Sequence, residues 1–100
     1  MATEFETIKQ KIALQKDYLQ KTYGVKEIGV FGSFARGDNS EKSDVDVSIE
    51  LDYSVPVGLF EFAGMQFYLE DILGKKVDLV IKSGIKALIK ERILSQLVII

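Results

Sequence analysis

The 100-residue chain contains no cysteine and no histidine, one proline, and a net charge of only −2. Without cysteine there are neither disulfides nor thiolate metal sites. Without histidine the imidazole base, the imidazole metal ligand and the Ser-His-Asp triad are all excluded, which leaves carboxylates to carry any acid-base or metal chemistry. The small negative charge gives no electrostatic footprint for nucleic acid, which argues against template-directed synthesis. No secretory signal and no run of about 18 apolar residues is found, so no membrane association is expected and the default location is the cytoplasm. The near absence of proline, with no low-complexity segment and no internal repeat, points to one domain over residues 1–100.

What is present begins with Gly32-Ser33, followed ten residues later by Asp44-Val45-Asp46. Residues 27–31 read as a short buried strand, and Gly32 to Arg36 as a tight turn into a brief helix that Gly37 stops. A glycine before a helix start lets the backbone approach an anion closely, and the unpaired N–H groups of the first turn favour phosphate. Ser33 adds a hydroxyl donor and Arg36 a positive charge. Alone, such a turn is as readily structural as phosphate-binding, and Arg36 is as readily ion-paired with Asp38 or solvated. Lys42, in the loop from Asp38 to Ser43, is equally open.

Asp44 and Asp46 stand at the head of an alternating run, Val45 to Ile49, that reads as a second strand. At period two both carboxylates point to one face. Two like charges about 6 Å apart at an effective dielectric of about 20 repel by roughly 2–3 kcal/mol, and a divalent cation reverses that sign. Magnesium suits the pair because it prefers oxygen and is commonly held by one or two carboxylates together with substrate phosphates, and two such ions can serve both the attacking and the leaving oxygen. The plainer alternative places Ser43-Asp44 in a solvated turn with Asp46 facing water beside Lys42. Asp78, enclosed by Val77 and by Leu79, Val80 and Ile81, reads as an acid in an interior strand, which needs a reason. An edge-strand position or a pairing with Lys75 or Lys76 is its alternative.

The segments Gly-Val-Phe-Gly-Ser-Phe-Ala-Arg-Gly at 29–37, Ser-Asp-Val-Asp-Val at 43–47 and Lys-Val-Asp-Leu-Val at 76–80 resemble the minimal nucleotidyltransferases of the DNA polymerase beta superfamily, often found as the antitoxin partner of a HEPN-domain toxin. The resemblance implies two-metal magnesium chemistry at Asp44, Asp46 and Asp78, with Gly32 and Ser33 holding the triphosphate of a nucleotide, expected to be ATP, and Arg36 is the further phosphate-binding candidate by its charge. It also implies AMP transfer to a hydroxyl, with a tyrosine of a HEPN toxin as acceptor and a complex between the two proteins. Two other functions fit the same residues: a non-catalytic antitoxin that covers its toxin, and a transferase for small molecules.

The remaining chain predicts an α+β fold, a small mixed sheet flanked by helices, in the order helix, strand, short helix, strand, helix, strand, helix. A first helix follows a Thr3/Glu6 capping box and runs to Tyr23 before Gly24, through Phe5, Ile8, Ile12 and Leu19. A second long helix closes at Gly74, and Leu59, Phe62, Phe67, Leu69 and Leu73 are expected to pack into the core; Phe60 and Tyr68 read as core or as walls of a base pocket. The last helix, about 85–96, presents Ile85, Leu88, Ile89 and Ile93 on one face. Leu97 to Ile100 form either a packed tail or a patch awaiting another protein.

Overall fold

The computed structural model describes residues 3–100. Two helices open it, α1 (Glu4–Ala13) and α2 (Lys16–Tyr23), where the sequence predicts one. The Thr3 side chain accepts the Glu6 N–H at 3.0 Å, satisfying one of the orphan donors of the first turn as the capping box requires. The break falls at Leu14 and Gln15. There Gln15 turns its side chain to accept the Tyr68 hydroxyl, while the second helix still buries Leu19 beside Ile8 and Ile12. Hydrophobic periodicity is blind to this break because the apolar face continues through it.

The sheet follows. Strand β1 (Val25–Phe31) leads through the one-turn α3 (Ser33–Arg36) and a loop to β2 (Val45–Leu51). Helix α4 (Leu59–Leu73) then crosses over to β3 (Val77–Ile81). A 3-10 turn (Lys82–Gly84), α5 (Ala87–Gln96) and β4 (Val98–Ile99) complete the chain. The order is β3-β2-β1-β4, with β2 antiparallel to β1 but parallel to β3, and β4 antiparallel to β1. This is the mixed α+β architecture expected.

Alternation decides the faces. Val45, Val47 and Ile49 of β2 are fully buried, and with Ile28, Val30, Val77 and Leu79 they meet Ile8, Ile12, Leu19, Met65, Leu69 and Leu73 from the helices. The register puts Asp46 and Ser48 of β2 on the other face, beside Gly29 and Phe31 of β1 and Asp78 and Val80 of β3. That face carries the chemistry.

Three expectations are corrected. Strand β3 is an edge strand, not an interior one; its aliphatic content arises because Val77 and Leu79 face the helices and Val80 and Ile81 are half-covered. On α4, Leu59 and Phe67 are not core but 83% and 66% exposed, and Phe60, 89% exposed, is neither core nor a pocket wall. Apolar residues surround this helix on every side, so periodicity cannot select the buried stripe, which the sheet assigns to Met65, Leu69 and Leu73. Tyr68 is half-buried and stacks on Tyr18 with ring centroids 4.7 Å apart. Helix α5 starts at Ala87, leaving Ile85 just before it; Leu88 is 97% exposed, whereas Ile85, Ile89 and Ile93 line an apolar groove with Phe62 and Val80.

The chain end is pinned rather than free: β4 pairs with β1, and the Ile100 N–H donates to the Ile28 carbonyl at 2.9 Å. Among the described residues no helix is long and apolar enough to cross a membrane. Truncating Leu69 to Ala is expected to cost about 2–5 kcal/mol in urea denaturation, whereas Leu88→Lys stays within about 0.5 kcal/mol.

Candidate active site

Phe31, the last residue of β1, is paired across the antiparallel ladder with Asp46, and the chain turns immediately afterwards at Gly32. Gly32 has φ +77° and ψ −153°, a conformation essentially confined to glycine. A Cβ at this position would stand 2.0 Å from Asp46 Oδ2, so the missing side chain leaves room for a carboxylate. The close approach that the sequence predicts at Gly32 is therefore made, within the protein, to Asp46.

The Arg36 N–H bonds the Gly32 carbonyl at 3.0 Å, and the Gly37 and Asp38 N–H groups both bond the Ser33 carbonyl, at 2.9 and 3.1 Å, closing the single turn of α3. Phe34 anchors that turn in the core while Arg36 projects outward. The N–H groups of Ser33, Phe34 and Ala35 open the turn and have no intrahelical acceptor.

Asp46 lies in register with Asp78 on the parallel pair β2/β3, and neighbouring strands are about 4.8 Å apart, so the two acids are lateral neighbours on the open face. Asp44 immediately precedes β2 and is exposed. The strand start is fixed by the Val45 N–H donating to the Lys76 carbonyl at 2.9 Å. Burial first, then the charges of Asp78 and Asp44, push the Asp46 carboxyl above the usual carboxylate range, and the Arg36 charge opposes them.

None of the ion pairs among the described residues involves these three acids. Lys75, one of the two lysines considered for Asp78, pairs with Glu4 at 2.6 Å, and Lys82 pairs with Glu27 at 2.8 Å. Lys42 is exposed, and its N–H reaches the Ser40 hydroxyl within the loop. Arg36 does pair with Asp38, Nε to Oδ2 at 3.1 Å, and its Nη1 also donates to Gln96 Oε1 at 2.9 Å.

The structure thus brings Gly32, Asp46 and Asp78 together, sets Asp44 and Arg36 at their margin, and adds Gln96. Sequence reasoning missed Gln96 because sixty residues separate it from Arg36 and no motif contains it. Among the described residues no three acidic side chains form a ready-made metal cage. The donor set nonetheless fits a hard divalent cation: the ligands are carboxylate oxygens, none is neutralised by a lysine or arginine, and magnesium takes only one or two of them when substrate phosphates supply the rest.

A family model for the nucleotidyltransferase domain matches residues 12–100. Protein adenylyltransferase MntA of Thermococcus cleftensis is 41% identical over 93 residues, covering 93% of this chain and 92% of that protein. A solved structure of a minimal nucleotidyltransferase matches with a TM-score of 0.76 at 29% identity, over 96% of this chain and 95% of its own. A chain from the complex of tri-AMPylated Shewanella oneidensis HEPN toxin with MNT antitoxin matches with a TM-score of 0.65 over 97% of this chain and 71% of its own. At 16% identity that last similarity is one of fold.

A carboxyl whose folded-state pKa is raised holds its proton more tightly in the folded than in the unfolded state. Its ionisation therefore costs stability, and the cost appears as pH rises from the unfolded value through the raised folded one. Asp46→Asn, which removes that cost, is expected to melt above the parent at a pH above the raised folded value. In paired thermal scans the gain should shrink as pH falls toward the ordinary carboxylate range; a gain that grows on acidification contradicts the assignment.

Proposed function

The chain belongs to the nucleotidyltransferase domain family, and we propose that it transfers AMP from ATP to a tyrosine hydroxyl of a HEPN-domain toxin in the cytoplasm, acting as antitoxin. A single nucleotidyltransferase domain over residues 1–100 carries the activity in this reading. The observation that supports it most is the in-register pair Asp46 and Asp78, unneutralised, with the backbone of Gly32 laid against Asp46. The protein acceptor rests on the similarity to an enzyme named a protein adenylyltransferase, and the HEPN partner on the similarity in fold to a chain of the AMPylated toxin complex.

In the reaction the acceptor oxygen attacks the α-phosphorus, the bond from that phosphorus to the bridging oxygen of the β-phosphate breaks, and pyrophosphate leaves with its electron pair. Asp44 and Asp46 would hold magnesium, and Asp78 would complete the carboxylate set. When bound, magnesium supplies charge neutralisation on the phosphates and acidifies the attacking hydroxyl.

The residues of the chain do the rest. The turn at Gly32 and Ser33 offers N–H groups and a hydroxyl to the phosphates, and Arg36 adds positive charge from the margin. Asp78 accepts the hydroxyl proton as the new P–O bond forms. Positioning and electrostatics, not covalent catalysis, account for the rate.

A second reading, neutralisation by binding alone, is favoured by one observation: Leu59, Phe60, Phe67 and Leu88 are all more than half exposed, and surface of that kind serves association. Transfer of label from α-labelled ATP to the cognate HEPN protein separates the two. The parent chain with magnesium is expected to label the partner, and Asp44→Asn/Asp46→Asn or chelation of the metal to reduce labelling by at least about 100-fold. A partner silenced equally by parent and variant, with no label on it, overturns the transfer reading in favour of binding.

A further inference from the structure

The guanidinium of Arg36 carries five N–H donors and no acceptor, so a side chain that binds it must present oxygen. Two do: Asp38 Oδ2 takes Nε at 3.1 Å, and Gln96 Oε1 takes Nη1 at 2.9 Å. Two of the five donors are thereby committed, and three remain for an incoming anion. The two holders differ in charge. Asp38 already offsets part of the arginine's charge; a second carboxylate would neutralise it and leave little attraction for phosphate, whereas the Gln96 amide fixes the guanidinium without removing charge.

The placement of Gln96 is itself built into the fold. It is the last residue of α5, and Leu97, immediately following, packs against the backbone of Gly29 on the open face of β1. A Cβ at position 29 would stand 2.8 Å from Leu97 Cδ1 and 2.8 Å from the Val98 carbonyl oxygen, so only a glycine there admits the tail at this depth. Strand β4 then pairs with β1 at Gly29 and Val30. Gln96 is thus held beside the sheet by Leu97 at Gly29, three residues before Gly32, and the Arg36 backbone N–H is bonded to the Gly32 carbonyl at 3.0 Å, at the turn laid against Asp46.

Resting on the nucleotide-transfer reading above, we infer that Gln96 is a positioning residue: it holds the Arg36 guanidinium at the mouth of the Asp46/Asp78 face so that its free N–H groups meet the triphosphate. The docked chain end is then part of the nucleotide site. Its contribution is made through Arg36 alone.

A double-mutant cycle on ATP binding in the presence of magnesium, by titration calorimetry, tests this. Gln96→Met keeps length and volume but loses the acceptor. It is expected to weaken ATP binding about 3–10-fold, with a melting temperature close to that of the parent. Arg36→Ala weakens binding at least as much, and the double variant binds no more weakly than Arg36→Ala alone. In the transfer assay Gln96→Met raises KM for ATP by a similar factor while kcat stays within about twofold.

Additive effects of the two substitutions, or unchanged ATP binding by Gln96→Met, overturn the inference. If the parent binds ATP but labels no acceptor, the transfer reading fails while the cycle still decides the role of Gln96. If the parent binds no ATP, both fall.

Discussion

The burial of one face of β2 governs everything else in this molecule. Val45, Val47 and Ile49 are fully enclosed between the helices and the flanking strands. Because side chains alternate, that burial obliges Asp46 and Ser48 to face the other way, and a slip of one residue would drive the acid into the core and the valines into water. The strand is clamped on both sides, antiparallel to β1 and parallel to β3. One clamp brings the Gly32 turn to Asp46 and the other brings Asp78. The site is therefore a by-product of a well-specified register.

Electrostatics works against stability at the same spot. Elsewhere on the surface Lys75 pairs with Glu4, Lys82 with Glu27, Lys9 with Glu6 and Lys21 with Asp17. The acids at the head of β2 and on β3 receive no such partner, and burial, followed by the charges of Asp78 and Asp44, makes Asp46 reluctant to ionise. The conflict is local, set in a fold otherwise consistent with its sequence.

How much of this could be read from the residues depended on distance along the chain. The Gly-Ser turn, the strand of Asp46 and the strand of Asp78 lie in short segments whose chemistry and period are local and could be read from sequence, whereas Asp44, expected on the strand beside Asp46, stands just before β2. The α4 stripe could not be read this way, because a helix apolar on all sides leaves the choice of buried face to tertiary packing: Phe67 and Met65 look alike to a hydrophobic count but end 66% and 0% exposed. At the helix break Gln15 accepts the Tyr68 hydroxyl, and Arg36 donates to Gln96. Both partners are more than fifty residues away, and no local rule reaches that far. The edge position of β3 was hidden for the same reason, since burial by covering helices gives an edge strand the composition of an interior one.

The parallel pairing of β2 with β3 carries a temporal consequence. Residues 52–76 must span from the end of one strand to the start of the next, and α4 must lie down along the way, before Asp46 and Asp78 can become neighbours. Closing so large a loop is an entropic toll levied before the contact exists, and nonlocal pairings of this kind tend to form late. A chain part-way to its native state can hold the Gly-Ser turn and Asp44-Asp46 together, since β1 and β2 are joined by a short connection, yet it cannot own the complete acidic set. The juxtaposition of Asp46 and Asp78 is an attribute of the finished sheet.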